Sequence, residues 1–256
     1  MTIHQHSFGE ADQATIGPVP ADFAHEDQSP CPAPMAHDRI IEAHFFWHQT
    51  AKTYHHPDLF RFHLSALLNG LVGTRNMLLR DFADEPDALA WVKAAIEAAR
   101  AASPSVTWSI DLRDTLVHES RLLQQSSVSY GAFRWFGVPK LALGTATNPF
   151  LSTEEIANAL LEVHNEGDNT FDFGILTPEE DQYFGLTRRW MLPIDDEPAE
   201  LLAATRESLQ WFRGMVVHLH QHGAEGDVEP HGLPCEEDLV QYQHVPLVWR
   251  ADEEEE

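Results

Sequence analysis

Arg113, Asp114 and His118 are the residues of this chain whose types and spacing most suggest chemistry. A guanidinium offers planar, paired donors to phosphate oxygens, and an imidazole titrates near neutrality and so can move protons. Asp114 and His118 are four apart and share one face of a helix, where the carboxylate can fix the imidazole tautomer. Cleaving RNA without a metal needs a base for the 2′-hydroxyl, an acid for the leaving 5′-oxygen and a cation for the crowded phosphorane. His118 suits the proton steps and Arg113 the charge. One histidine does not easily serve as acid and base together, so two copies related by a two-fold axis would complete the site. Five helical residues separate Arg113 from His118 by about 140°, so one phosphate is reached by both only if the arginine bends around. The structural alternative pairs a buried Arg113 with Asp114 or Glu119 and makes His118 an interfacial histidine.

These residues need a helix to hold them. Ser103 followed by Pro104 is a helix start, a capping hydroxyl and then a proline at the first helical position. Trp108, Leu112 and Leu116 form one apolar row beyond it, and Val106, Ile110 and Val117 a second, as in a helix wedged between two neighbours. Arg113 projects between the rows.

The string from Arg113 to His118 resembles the R-x4-6-H motif of the HEPN superfamily (higher eukaryotes and prokaryotes nucleotide-binding domains), over residues 36–120. Arg39 to His44 and Arg213 to His218 repeat the spacing, but only Arg113 is followed by an acid and preceded by three helical segments. The resemblance implies an antiparallel bundle of four to five helices and a homodimeric, metal-independent endoribonuclease with Arg113, His118 and Asp114 as its catalytic group. It implies no cofactor, and a toxin, stress or phage-defence setting. In the toxins of this superfamily that are silenced by AMP transfer, a tyrosine stands two positions after the histidine. Here that position is Ser120, which argues against a nucleotidyltransferase partner of that type. The main alternative is a non-catalytic HEPN-like module that binds a nucleotide or a basic protein.

Composition sets the bounds. The 256 residues are 43% apolar, enough for a sizeable core, and no apolar run approaches a membrane span. With no secretory signal visible in the first residues, a cytoplasmic location is expected, and Cys31 and Cys235, in proline-rich flanks, read as two thiols. The formal charge of −25 repels nucleic acid at long range, so an RNA-acting version needs a local cationic cleft.

Residues 1–35 read as a flexible arm in which His4 and His6 hold no metal geometry, and residues 224–256 as an acidic loop and tail. Between them, 36–223 reads as the helical domain. Its first helix spans about 36–53, with Ile40, Ile41, Phe45 and Trp47 as core and His44 and His48 as a core pair. Asp58 is expected to cap a second helix that runs to about Phe82 through Phe60, Leu64, Leu67, Leu71 and Leu78. Pro86 opens a third, with Leu89, Val92, Ile96 and Ala99 inward. The period then changes. Val128, Tyr130 and Ala132, then Leu141, Leu143 and Thr145, alternate about a break near Gly137, predicting an inserted or appended β-hairpin over about 124–147. Ser152 and Glu155 form a capping box, with Leu151 and Ile156 as its hydrophobic staple, for a helix to about His164. Residues 165–193 show no assignable pattern. Pro198 is expected to start a last helix, about 198–222, striped by Leu202, Leu209, Phe212, Val216 and Leu219. On that helix His218 and His222 share a face and His220 does not, which disfavours a three-histidine metal site. Val245 to Trp249 is expected to dock as a short strand.

Overall fold

The computed structural model describes residues 32–119, 125–134, 138–165, 182–194, 197–223 and 239–247. Within them the chain is mainly helical, with one small antiparallel sheet. The elements are α1 (Pro34–Lys52), α2 (Pro57–Asp81), α3 (Pro86–Ala102), α4 (Pro104–Glu119), β1 (Gln125–Arg134), β2 (Val138–Thr147), α5 (Thr153–Asn165), β3 (Gln182–Ile194), β4 (Glu197–Glu200), α6 (Leu201–Gly223), α7 (Val240–Gln243) and β5 (His244–Leu247).

The first four helices each begin on a proline, whose missing N–H costs nothing in the first turn. Asp58 is not the cap of α2. His56 occupies that position without a side-chain bond, Pro57 is the first helical residue, and Asp58 sits in the first turn paired with Arg61 at 3.2 Å. Ser103 does cap α4, its Oγ accepting the Val106 N–H at 3.3 Å. α1 and α2 are joined by only four residues and pack as a close helical pair. Their approach depends on Gly70: a Cβ there would lie 2.9 Å from the Ala43 Cβ and 3.0 Å from its Cα. The shared core contains Trp47, Phe60, Leu64, Leu67, Leu71, Leu78, Val92, Ile96, Val106, Ile110, Leu202, Leu209 and Phe212. α6 therefore completes the bundle that α1 to α4 begin. Ser208 ties it to α4, its Oγ lying 2.8 Å from the Ser109 Oγ and donating to the Ser105 carbonyl at 2.9 Å.

The expected hairpin forms, with Val128 opposite Thr145, Tyr130 opposite Leu143 and Ala132 opposite Leu141, and an irregularity after Ala132. The expected turn near Gly137 lies outside the described residues. The hairpin does not stand alone. β1 also pairs along its whole length with β3, giving the order β2-β1-β3-β4, while β5 pairs with residues 184–187 of β3 on the edge away from β1. The unassigned stretch 165–193 thus contributes the central strand. Pro198 lies in β4 rather than opening the last helix, which begins at Leu201 with the Glu200 carboxylate accepting the Ala203 N–H at 2.8 Å. A proline at the short outer strand forfeits little ladder bonding, and an acid at the helix start meets the positive end of the dipole.

The capping box of α5 is present in both directions: Glu155 N–H to Ser152 Oγ at 3.1 Å, and Ser152 N–H to the Glu155 carboxylate at 2.6 Å. α5 covers one face of the sheet in a second, smaller core of Val128, Tyr130, Ile156, Ala157, Leu186 and Val245, joined by Leu151 and Leu160. No helix among the described residues is long and apolar enough to cross a membrane.

The packing at Gly70 has a measurable consequence. Gly70→Ala should lower the unfolding free energy by about 1–3 kcal/mol in urea titration, because the α1 backbone must move away. Gly214→Ala on α6, where an added Cβ meets nothing within 4 Å, should be neutral or stabilise by up to about 1 kcal/mol.

Candidate functional site

Arg113 lies on α4, half-buried beside α2, with its Nε donating to the Asn69 Oδ1 at 3.3 Å. This contact comes from a neighbouring helix; the side chains of Asp114 and Glu119, the partners expected in the structural alternative, lie outside the described residues. The α4 backbone runs through residue 119, so Asp114 and His118 are on the same helix, but their side chains lie outside the described residues, as do Leu116 and Val117. Val106 and Ile110 are buried and Trp108 and Leu112 partly so, as the double stripe requires. In the other two copies of the spacing, Arg39 pairs with Glu42, His44 is buried, and the ring of exposed His218 stacks on Trp91 at 5.2 Å.

Of the metal-site candidates, His44 and His48 face each other with their Nε2 atoms 3.1 Å apart. Burial, and then the neighbouring His48, lower the His44 pKa to about 4, so it is neutral at physiological pH. No group of three histidine, cysteine or acidic side chains suited to a metal exists among the described residues. The side chains of His220 and His222, and all of His4, His6, Cys31 and Cys235, lie outside them.

The densest polar cluster has no counterpart in the sequence reading. It sits where the sheet meets the bundle and is built on Tyr54, His55, Ser126, Thr153, Arg188, Trp190 and Glu200. The Trp190 indole N–H donates to the Tyr54 carbonyl at 2.9 Å, and the Trp190 backbone N–H to the Tyr54 hydroxyl at 3.1 Å. The hydroxyl in turn donates to Glu200 at 2.8 Å. Burial raises the pKa of Glu200, and burial and then Glu200 raise that of Tyr54. Trp190 is stacked on Phe60 at 4.7 Å on one side, and the Arg188 guanidinium lies 3.9 Å from its ring.

Arg188 has no exposed surface. Its Nε donates to Ser126 Oγ at 3.1 Å and its Nη1 to Thr153 Oγ1 at 3.3 Å. Burial lowers its pKa to about 10, so it stays charged. His55 Nδ1 lies 2.9 Å from Thr153 Oγ1, and burial, with Arg188 as the next cause, lowers the His55 pKa to about 3. Burial likewise lowers His244, beside Thr187, to about 4. The signal that could have found the cluster is the alternation Phe184, Leu186, Arg188, Trp190, a strand pattern with an arginine at an inward position.

A mainly helical chain carrying a small antiparallel sheet is as far as architecture alone classifies it. One family model, that of the bacteriophage lambda protein ea47, matches residues 24–133, a span that includes α1 to α4 and most of β1. No curated protein and no solved structure shows a significant match to the chain.

Two outcomes follow. Tyr54→Phe removes the hydroxyl between Trp190 and Glu200 and strands both buried groups. It should cost about 1–3 kcal/mol in denaturant unfolding, more than its lost methyl-sized volume would suggest. The histidines set an acid limit. His44, His55 and His244 have folded pKa values below the ordinary 6.5, so the unfolded chain binds more protons between about 6.5 and 4. Stability should therefore fall as pH drops through that window, with Glu200 opposing because its folded pKa is raised. Unfolding at pH 5 should take up roughly two to three protons, measured from the pH dependence of unfolding.

Proposed function

We propose that the chain is a metal-independent endoribonuclease of the HEPN kind that acts as a homodimer. Arg113 stabilises the phosphorane, His118 handles the proton transfers, and Asp114 orients the imidazole. The observation that carries this reading is the place of Arg113. It is half-buried on the α4 face rather than sealed in the core, and the Asn69 carboxamide of the neighbouring helix accepts from its Nε and so helps orient its guanidinium. The helical surroundings of α4 agree with it, and the resemblance to a phage protein family favours a phage-linked setting. The two-fold partner supplies the second imidazole, since acid and base must act on opposite sides of the phosphate.

The −25 charge favours a second reading, a non-catalytic module that takes a nucleotide or a basic protein. The two separate in one assay. Purified protein with tRNA and mRNA in EDTA should yield fragments ending in cyclic phosphate, at rates lowered about 100-fold or more by His118→Ala or Arg113→Ala. RNA left equally intact by wild type and His118→Ala at every salt concentration refutes the nuclease reading. A nucleotide-induced thermal shift in such inactive protein, or capture of a basic partner, then supports the binding module.

A further inference from the structure

Arg188 sits on β3 between two cores, with Leu186 in the one beneath α5 and Trp190 in the one of the helical bundle. Its hydrogen-bond donors can be followed one by one. Nε and Nη1 go to the hydroxyls of Ser126 and Thr153, while the buried Nη2 has no hydrogen-bond partner among the described residues. Ser126 Oγ also accepts from Thr147 Oγ1 at 3.0 Å. Both of its lone pairs are then filled, and its own proton remains to be donated. Thr153 differs. The Tyr242 carbonyl holds the N–H of neutral His55, so its Nδ1 presents a lone pair that the Thr153 proton fills.

The junction therefore holds a full positive charge, three N–H groups (two on Nη2 and one on Nη1) and the Ser126 O–H, and no acceptor for them among the described residues. Glu155 lies near enough to favour the charged guanidinium, but neither nearby acid accepts a hydrogen bond from it. Glu155 is turned to the Ser152 N–H at the exposed rim, and the Glu200 carboxylate is engaged by Tyr54 and the Ala203 N–H. A buried cation without a hydrogen-bonded counter-ion is costly, and a stacked indole offsets only part of that cost. Arg188 Nη1 meets Thr153, the first residue of the 13-residue helix α5, so the positive end of that helix dipole adds to the field.

We propose that Arg188, Ser126 and the N-terminal turn of α5 form a binding site for a phosphate group. The guanidinium keeps three N–H groups, two on Nη2 and one on Nη1, and the several oxygens of a tetrahedral oxyanion can take these together with the separate Ser126 O–H, more donors than the two oxygens of a carboxylate bridge at once. The site is independent of Arg113 and of the nuclease reading.

The test is thermal unfolding of the full chain in inorganic phosphate against chloride at equal ionic strength, with adenosine 5′-monophosphate as a second arm. Wild type should show a saturable rise of about 3–5 °C at ten times the dissociation constant. Arg188→Met should abolish the rise and Ser126→Ala should weaken binding about tenfold, while Arg189→Met, at the exposed neighbouring position, should keep it. Should Arg188→Met not fold, Ser126→Ala decides alone. Saturation at lower concentration by the nucleotide identifies a phosphate ester as ligand, and saturation by inorganic phosphate alone identifies the free anion. No saturable rise in wild type, or one unchanged in Ser126→Ala, overturns the proposal.

Discussion

The grip of Tyr54 on Trp190 is the constraint on which the rest of the structure depends. Tyr54 follows α1 and Trp190 lies near the end of β3, yet two hydrogen bonds fix the backbone and side chain of one against the other. Both are fully buried, with Phe60 stacked beneath the indole. Loss of a buried indole costs on the order of 3–5 kcal/mol, a large part of the stability of any domain. Through Glu200, which accepts the Tyr54 hydrogen bond and caps α6, the same joint fixes where the last long helix begins. Sheet and bundle are thereby set against each other, and with them the place of Arg188 between the two cores.

Much of the helical part was legible because its signals are local. Proline starts, apolar stripes and the Ser152 to Glu155 box are written within a few residues, and the two strands of the hairpin followed from simple alternation. What escaped depends on distant partners. β3 reads poorly because Arg188 interrupts its apolar alternation, and only the hydroxyls of Ser126 and Thr153 make that arginine tolerable inside. Pro198 looked like a helix start because a proline at an outer strand and one at a first helical turn obey the same rule, a missing N–H where none is needed. Asp58 misled for a related reason, since an acid in the first turn and an acid at the cap both suit the dipole. Of the α4 group, the sequence placed Arg113 on a helix between neighbours, but could not name Asn69, which lies 44 positions away.

Charge is distributed unevenly in kind as well as in amount. The chain carries 41 acidic against 16 basic side chains, yet the large fully buried charged residue is an arginine. The histidines near it and at α1 are held neutral by burial rather than used as cations. Among the described contacts, Arg113 donates to a neutral carboxamide and Arg188 to two hydroxyls, so neutral acceptors orient both guanidiniums.

The joint between Tyr54 and Trp190 spans 136 positions, and it shapes how the molecule comes together. A ribosome will have released all four opening helices and the hairpin well before the indole that locks them appears. Until then the aromatic pocket around Phe60 has no lid and the hairpin lacks its middle neighbour. Such long-range closure makes for slow maturation, with an intermediate whose apolar socket is open to water and attractive to chaperones.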